Sequence, residues 1–129
     1  MTISASGALQ AALFAHLEAD DFLAARFRPV AGGDAELPQF SLDALETEAV
    51  DTGLGLARHT MRFSVWAALH APADAASLEE RLTQAMARPF VLNGHRFIRL
   101  ELRESAGAPD PTTRLWRIRM VFDALTQGE

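Results

Sequence analysis

The stretch RHTMRFSVWAAL, from Arg58 to Leu69, decides how the rest of the chain can fold. A β-strand turns successive side chains to opposite faces, so every second residue of this stretch shares a face. One face is apolar and carries Met61, Phe63, Val65 and Ala67. The other face carries Thr60, Arg62, Ser64 and Trp66. The alternation stops at residues 70–72, where a helical pattern begins, so the sequence predicts a central strand that leads directly into an amphipathic helix.

The composition is that of a globular protein. The chain has 129 residues, of which 49% are apolar and 22% charged, and we expect one domain spanning residues 1–129. It contains no cysteine, which excludes cysteine nucleophiles and most structural zinc sites. The N-terminus lacks the pattern of a signal peptide, and no apolar segment approaches the roughly 20 residues of a membrane span. We therefore expect a protein made in a cytoplasm-like compartment, without membrane contact.

Charge is spread unevenly along the chain, whose formal net charge is −5. Residues 1–57 hold nine acids and two arginines, whereas residues 58–129 hold ten arginines and eight acids. The negative net charge speaks against general nucleic-acid binding, but the unequal halves could let copies attract each other head to tail. The alternative is an ordinary solvated surface in a chain whose basic residues are all arginine.

Periodicity and turn signals predict the elements in the order helix, short helix, strand, strand, helix, short strand, strand, strand. Ser6, Asp21 and Asp74 are the predicted helix caps. Loops are predicted at residues 29–38 and 105–113, both rich in proline and glycine. Because hairpin links dominate, the sheet should be mostly antiparallel, with the helices packed on its apolar face. The predicted fold class is α+β, a two-layer sandwich.

The first predicted hairpin, QFSLDALETEAVDTGLGLARH, is long and acidic. Its carboxylates include Glu46, Glu48 and Asp51, and its glycine-containing tip is a candidate contact loop. These three acids could in principle hold a metal ion, but their spacing on an exposed hairpin favours solvated charge.

Sequence motifs give no support for catalysis. The four histidines, His16, His59, His70 and His95, fall in no metal-binding pattern, and no GxSxG nucleophile motif is present. His59 and His95 are most simply surface residues at the starts of strands, and His16 lies at the edge of a helix stripe. The sequence therefore predicts no catalytic residue, cofactor site or metal site, although a small enzyme or ligand-binding domain using His59 or His95 stays open as an alternative.

Large aromatic and guanidinium groups mark the strand faces predicted to point away from the core. In the strand 95–104, Ile98, Leu100 and Leu102 are expected to face the core. Tryptophan and arginine are enriched in the centres of interfaces, so these outward residues predict a subunit interface. The candidates are Arg62, Trp66, Phe97, Arg99, Arg117 and Arg119. The alternative for Trp66 and Phe97 is that loops of the same chain cover them.

Several segments carry a resemblance to a known family. They include the helix LQAALFAHLEAD, the short DDFLAARF, the strand RHTMRFSVWA with its RHxxxxxVW pattern, and the helix ASLEERLTQAM. The ending VLNGHRFIRLELRESAGAPDPTTRLWRIRMVFDALT adds NGHR and TRLWRIRMVF in the same order. From about Leu9 to Thr126 the chain resembles the small tail-completion or tail-terminator proteins of phages and gene transfer agents, of the DUF3168 type. The first hairpin departs from this family because it is shorter and more acidic.

The resemblance implies a structural assembly protein without enzymatic activity. Such a protein forms a ring, usually of six subunits, that caps the tail tube, ends its polymerisation and joins it to the head-side connector. Its expected partners are copies of itself, the tail tube protein on one face and a connector or adaptor protein on the other. DNA would pass through the lumen without sequence-specific contacts, and Glu46, Glu48 and Asp51 would line that lumen or contact a partner. The expected location is the neck of a virion or gene-transfer-agent particle, assembled in the bacterial cytoplasm. A different neck component, a head-closure or adaptor protein, is the alternative within the same class.

Overall fold

A computed structural model describes residues 4–28, 37–88 and 90–128 of the chain. Within these ranges, helices pack on one side of a single five-stranded sheet, which confirms the predicted α+β class. Most of the predicted loop 29–38 lies outside the described residues, and the predicted short strand 90–92 is reduced to a bridge between Leu92 and His95. The elements are α1 (Ala5–Glu18), α2 (Asp21–Arg26), β1 (Phe27–Arg28), β2 (Gln39–Asp51), β3 (Leu56–Ala68), α3 (Pro72–Ala87), β4 (His95–Asp110) and β5 (Leu115–Gly128).

The strand predicted to be central occupies the middle of the sheet. β3 lies third in the order β1-β2-β3-β5-β4 and pairs antiparallel with β2 and β5. β4 then pairs antiparallel with β5 and forms one edge of the sheet. Among the described strands, only the two-residue β1 runs parallel to its neighbour, and it was not predicted. It pairs with β2 at Phe40 and Ser41, and no other described strand adjoins the rest of the outer edge of β2.

The core lies between the helices and one face of the sheet. Its sheet side includes the predicted apolar set of β3 and three inward residues of β5, all buried: Met61, Phe63, Val65, Ala67, Ile118, Met120 and Phe122. The helices contribute residues at four-residue spacing, which places them on one helical face: Leu9, Leu13 and Leu17 from α1, and Leu78, Leu82 and Met86 from α3. Burial of each large apolar side chain contributes roughly 1.5–3 kcal/mol to this layer.

All three described helices begin before the predicted positions, α1 by two residues, α2 by one and α3 by three. Ser4, not Ser6, caps α1, its hydroxyl accepting the N–H three residues further on at 3.1 Å. Asp20, not Asp21, caps α2 and accepts the N–H groups two and three residues further on, at 3.0 and 3.2 Å. α3 begins at Pro72, whose fixed φ suits the first helical turn, so the prediction that Asp74 caps this helix is wrong. Asp74 lies inside the first turn, and the N-cap position is Ala71, which makes no side-chain cap.

Strand β4 replaces a segment that was predicted to be a loop. Residues 105–110 continue β4 and pair with β5, with Pro109 opposite Trp116. In an edge strand, one side of the backbone faces no neighbour, so a proline there can leave the existing ladder intact. The chain turns later, at residues 111–114.

Bulges in β2 and β4 change which side chains face the core. In β4, Phe97 pairs opposite Thr126 and Arg99 opposite Leu125, which leaves Ile98 as an extra residue. An extra residue shifts the period-two alternation by one position. The prediction that Phe97 points away from the core is therefore wrong, because its ring packs against the core while Ile98 is 48% exposed.

Candidate protein-interaction surfaces

The open face is the side of the sheet opposite the helices, and Asp43 is the centre of its polar network. Asp43 is the extra residue of a bulge in β2, which lets its carboxylate reach across to β3 and β5. It accepts hydrogen bonds from Ser41 at 2.8 Å and from Ser64, and it pairs with Arg117 at 3.2 Å. Arg117 also donates from Nε to the Ser64 hydroxyl at 2.8 Å. Three strands are thus tied together by one carboxylate.

This network covers Trp66. The guanidinium of Arg117 lies 4.8 Å from the centre of the Trp66 ring, and the indole N–H donates to Ser41 at 3.4 Å. A second carboxylate, Asp110, holds Arg117 at 3.7 Å. The backbone N–H and hydroxyl of Thr113 keep the pKa of Asp110 below its ordinary value. Trp66 lies on the predicted side of the sheet but is only 5% exposed, because its own chain covers it.

The half of the open face nearer the β2–β3 turn carries exposed ion pairs between neighbouring strands. Arg62 pairs with Glu46 at 3.1 Å, and Arg58 with Glu48 at 3.6 Å. Two of the predicted acidic residues are therefore partly neutralised by arginines of β3. Such exposed pairs contribute little to stability, about 0–1 kcal/mol each.

Arg99 and Arg119 lie on the β5–β4 side of the open face. Arg99 pairs with Asp123 at 3.3 Å and with Glu101 at 3.5 Å. Arg119 is exposed and forms no ion pair with any described residue. It lines a cavity of about 330 Å³, whose other lining residues are Asp43, Arg62, Phe63, Glu104, Arg117, Met120 and Val121. This cavity presents more guanidinium groups than carboxylates, which suits an acidic partner group.

A second surface, the β4 groove, lies on the helix side next to the edge strand. Its volume is about 450 Å³, and its apolar lining consists of Met86, Phe90, Val91, Leu92, Phe97 and Leu100. Arg88, His95 and Arg96 complete the lining. The Phe90 and Phe97 rings meet edge to face at 5.0 Å. The sequence did not predict this groove, because the bulge that turns Phe97 toward it leaves no recognisable motif.

The tip of the β2–β3 hairpin, residues 50–55, is the third surface. Val50 is 49% exposed and Leu54 is 57% exposed. Asp51 accepts the Leu54 N–H at 3.1 Å and so stabilises the turn, and Gly55 adopts a φ of 69° that favours glycine. The three acids predicted as a group thus divide into Glu46 and Glu48 on the open face and Asp51 at the tip.

His59 is not the surface residue that the sequence predicted. It is fully buried on the core side of β3, where Thr47 lies 2.8 Å from Nδ1 and Thr126 lies 2.8 Å from Nε2. Burial lowers the pKa of His59 below its ordinary value, and the charge of His95 lowers it further. His16 lies at the core edge, as predicted, with Nε2 2.6 Å from the Ala85 carbonyl. Both rings therefore have structural contacts.

Neither a metal cluster nor a membrane-spanning helix occurs in the part of the chain that the structure describes. Across residues 4–28, 37–88 and 90–128, no three His, Cys, Asp or Glu residues are grouped so that they could hold a metal ion. The helices in these ranges are too short or too polar to cross a membrane.

Known proteins were compared with the chain at the level of families, sequences and structures. A family model described as "Tail completion protein gp17" matches residues 11–127. Among solved structures, a chain of "Virion of native gene transfer agent (GTA) particle" is similar, with a TM-score of 0.81 and 26% sequence identity. That similarity covers 98% of this chain and 100% of that one. No curated protein sequence matches the chain significantly.

Proposed function

We propose, since this chain belongs to the tail completion protein gp17 family, that it ends the growth of a tail tube by forming a ring with two different sides at the tube end. The chain is a structural protein of tail assembly, not an enzyme, and its place is in the virion. The observation that carries the proposal is the similarity, over nearly the whole chain, to a chain of a gene transfer agent virion. The proposed ring has six subunits, as the family resemblance implies.

The proposed mechanism is geometric. One side of the ring copies the contact that a tube subunit would make, so the ring adds to the tube end. The other side offers a different surface to a head-side connector or adaptor protein, so no further tube subunit can add. Termination by this mechanism requires no chemical step.

We assign the open face to contacts between subunits, except at its end near the β2–β3 turn, where Glu46 and Glu48 lie. Arg62, Arg99 and Arg119 have exposed side chains there and can each reach a neighbour. Trp66 and Arg117 lie beneath these exposed arginines and support the interface through their packing. Arginine suits this role because its planar guanidinium can bind a carboxylate through two hydrogen bonds.

Glu46 and Glu48 are proposed to face the lumen of the ring, where an acidic wall would let DNA pass without adhering. Their side chains are exposed on the open face although each contacts an arginine of β3. Replacing both by lysine should slow or block DNA delivery by assembled particles, whereas replacing both by glutamine should have a smaller effect. Normal delivery by the lysine variant would contradict the assignment.

The ring is tested by light scattering coupled to size exclusion, with negative-stain images of the peak. We expect a hexameric mass and a ring with a central hole, either for the protein alone or for the protein bound to tube ends. Deleting the gene should give abnormally long tails. Tails of normal length that fail to join heads would instead identify a head-closure or adaptor protein.

A further inference from the structure

We propose that the tip of the β2–β3 hairpin of one copy docks into the β4 groove of the next copy. The inference rests on the proposed function only in requiring that copies associate. It identifies the two surfaces that meet. It also places Phe97 in an interface, but in the groove and not on the open face that the sequence predicted.

The β4 groove is apolar and its rim is exposed. Val91 is 89% exposed, and the neighbouring Ile98 is 48% exposed. Exposed apolar side chains that adjoin a concave apolar surface are typical of protein contact sites. The groove therefore suits an apolar insert with a small cross-section.

The hairpin tip has the matching chemistry. Val50 and Leu54 are among the most exposed large apolar residues in the described chain. Asp51 at the tip has no ion pair among the described residues, whereas Arg96 and Arg88 lie beside the groove, Arg88 sharing its charge with Asp20 at 3.3 Å. Apolar contact in the centre with opposite charges around it is the usual pattern of a specific interface.

The positions of the two surfaces favour a contact between copies. The tip continues β2, whereas the groove adjoins β4, and β3 and β5 separate these two strands. Within one chain the tip is held at the end of β5, where the carbonyls of Leu54 and Gly55 accept hydrogen bonds from Gln127 and Gly128 at 3.1 and 3.0 Å. Two different surfaces that meet head to tail generate a ring when the rotation between copies closes.

Cysteine cross-linking tests the contact directly, since the chain has no cysteine of its own. The variant V50C/V91C should form a ladder of covalent oligomers up to the ring size under mild oxidation, both as purified oligomer and in assembled tails. Each single variant should give at most a dimer. The matched control L69C/V91C uses an equally exposed residue just after β3, at the opposite end of the sheet, and should give no ladder.

The outcomes separate this inference from the proposed function. Rings, or tails that contain the protein, without a V50C/V91C ladder would overturn the tip contact and leave the ring intact. Cross-linking of V91C to a different tail protein would also overturn it, because the occupant would not be a second copy. Tails that assemble normally without the protein would refute the proposed function, and the inference with it.

Discussion

At the scale of single residues, the open face contains two kinds of arginine that the sequence could not separate. Arg117 is held by Asp43, Ser64 and Asp110 and lies over Trp66. Arg119 is two residues away on the same face of β5, yet it is exposed and has no ion pair among the described residues. The period of two predicted their shared face, but their partners come from strands distant in sequence.

The two arginines should respond differently to truncation. Arg117→Ala should lower the free energy of unfolding by about 2 kcal/mol, because it leaves the buried Ser64 hydroxyl and the carboxylates of Asp43 and Asp110 without their charged partner. Arg119→Ala should change it by less than about 0.5 kcal/mol. Urea unfolding followed by circular dichroism measures both, and light scattering should show weaker ring formation for Arg119→Ala. Equal losses of stability would contradict the distinction.

His59 should make the stability of the protein depend on pH. The unfolded chain takes up a proton on this side chain near its ordinary pKa of 6.5, whereas burial keeps the ring neutral in the folded protein to lower pH. The unfolded state therefore binds more protons below pH 6.5, and stability falls as the pH drops, by at most about 1.4 kcal/mol per unit. Urea unfolding at pH 7.5, 6.5 and 5.5 measures the slope.

The variant His59→Gln provides the matched comparison for that slope. It keeps a polar side chain between the two threonines but cannot take up a proton in this range. The other three histidines remain, so the difference between the two proteins isolates His59. The same slope in both proteins would show that this ring is not the source.

At the scale of elements, the sequence predicted the strands whose alternation is uninterrupted. β3 and β5 follow the predicted faces, because a regular ladder preserves the period of two. For β4 the same reasoning gave two wrong predictions. Its bulges shift the alternation, and its glycine and proline residues, which usually mark a loop, lie in an edge strand that tolerates them.

Deleting single residues of β4 distinguishes bulge positions from ladder positions. Deleting Ile98 removes an extra residue, so Phe97 and Leu100 keep their faces and the fold should survive with a small loss of stability. Deleting Leu100 forces a charged neighbour onto the core face and should unfold the protein or cost more than about 3 kcal/mol. Thermal unfolding followed by circular dichroism compares the two. Equal stability would refute the assigned register.

At the scale of the whole molecule, the candidate surfaces were predictable only in part. The exposed arginines and the acidic hairpin could be read from strand alternation and composition. The β4 groove could not, because it requires α3, the segment after it and the turned Phe97 to come together. The unequal charge of the two halves of the sequence is nevertheless also found in the folded chain. The acidic hairpin lies toward one edge of the sheet, and arginines lie beside the groove at the other edge.

The net charge predicts how the molecule behaves toward DNA. With a net charge of −5, the protein at 0.15 M salt should bind random duplex DNA more weakly than the roughly 1–100 μM typical of non-specific binders. Replacing Glu46 and Glu48 by lysine brings the net charge to −1 and releases Arg58 and Arg62 from their pairs. That variant should gain salt-sensitive binding. Fluorescence anisotropy measures both proteins, and tight binding by the unmodified chain would contradict the proposal of a non-adhesive lumen.

Strand β2 begins beside buried residues and ends at an exposed tip. Phe40 is fully buried, whereas every residue from Glu46 to Gly55 is exposed. The tolerance of the chain to mutation should therefore rise along a single strand, from positions that the core constrains to positions that only a partner constrains. A protein built in this way can acquire a new assembly partner at one end of the strand while its hydrophobic core stays unchanged at the other.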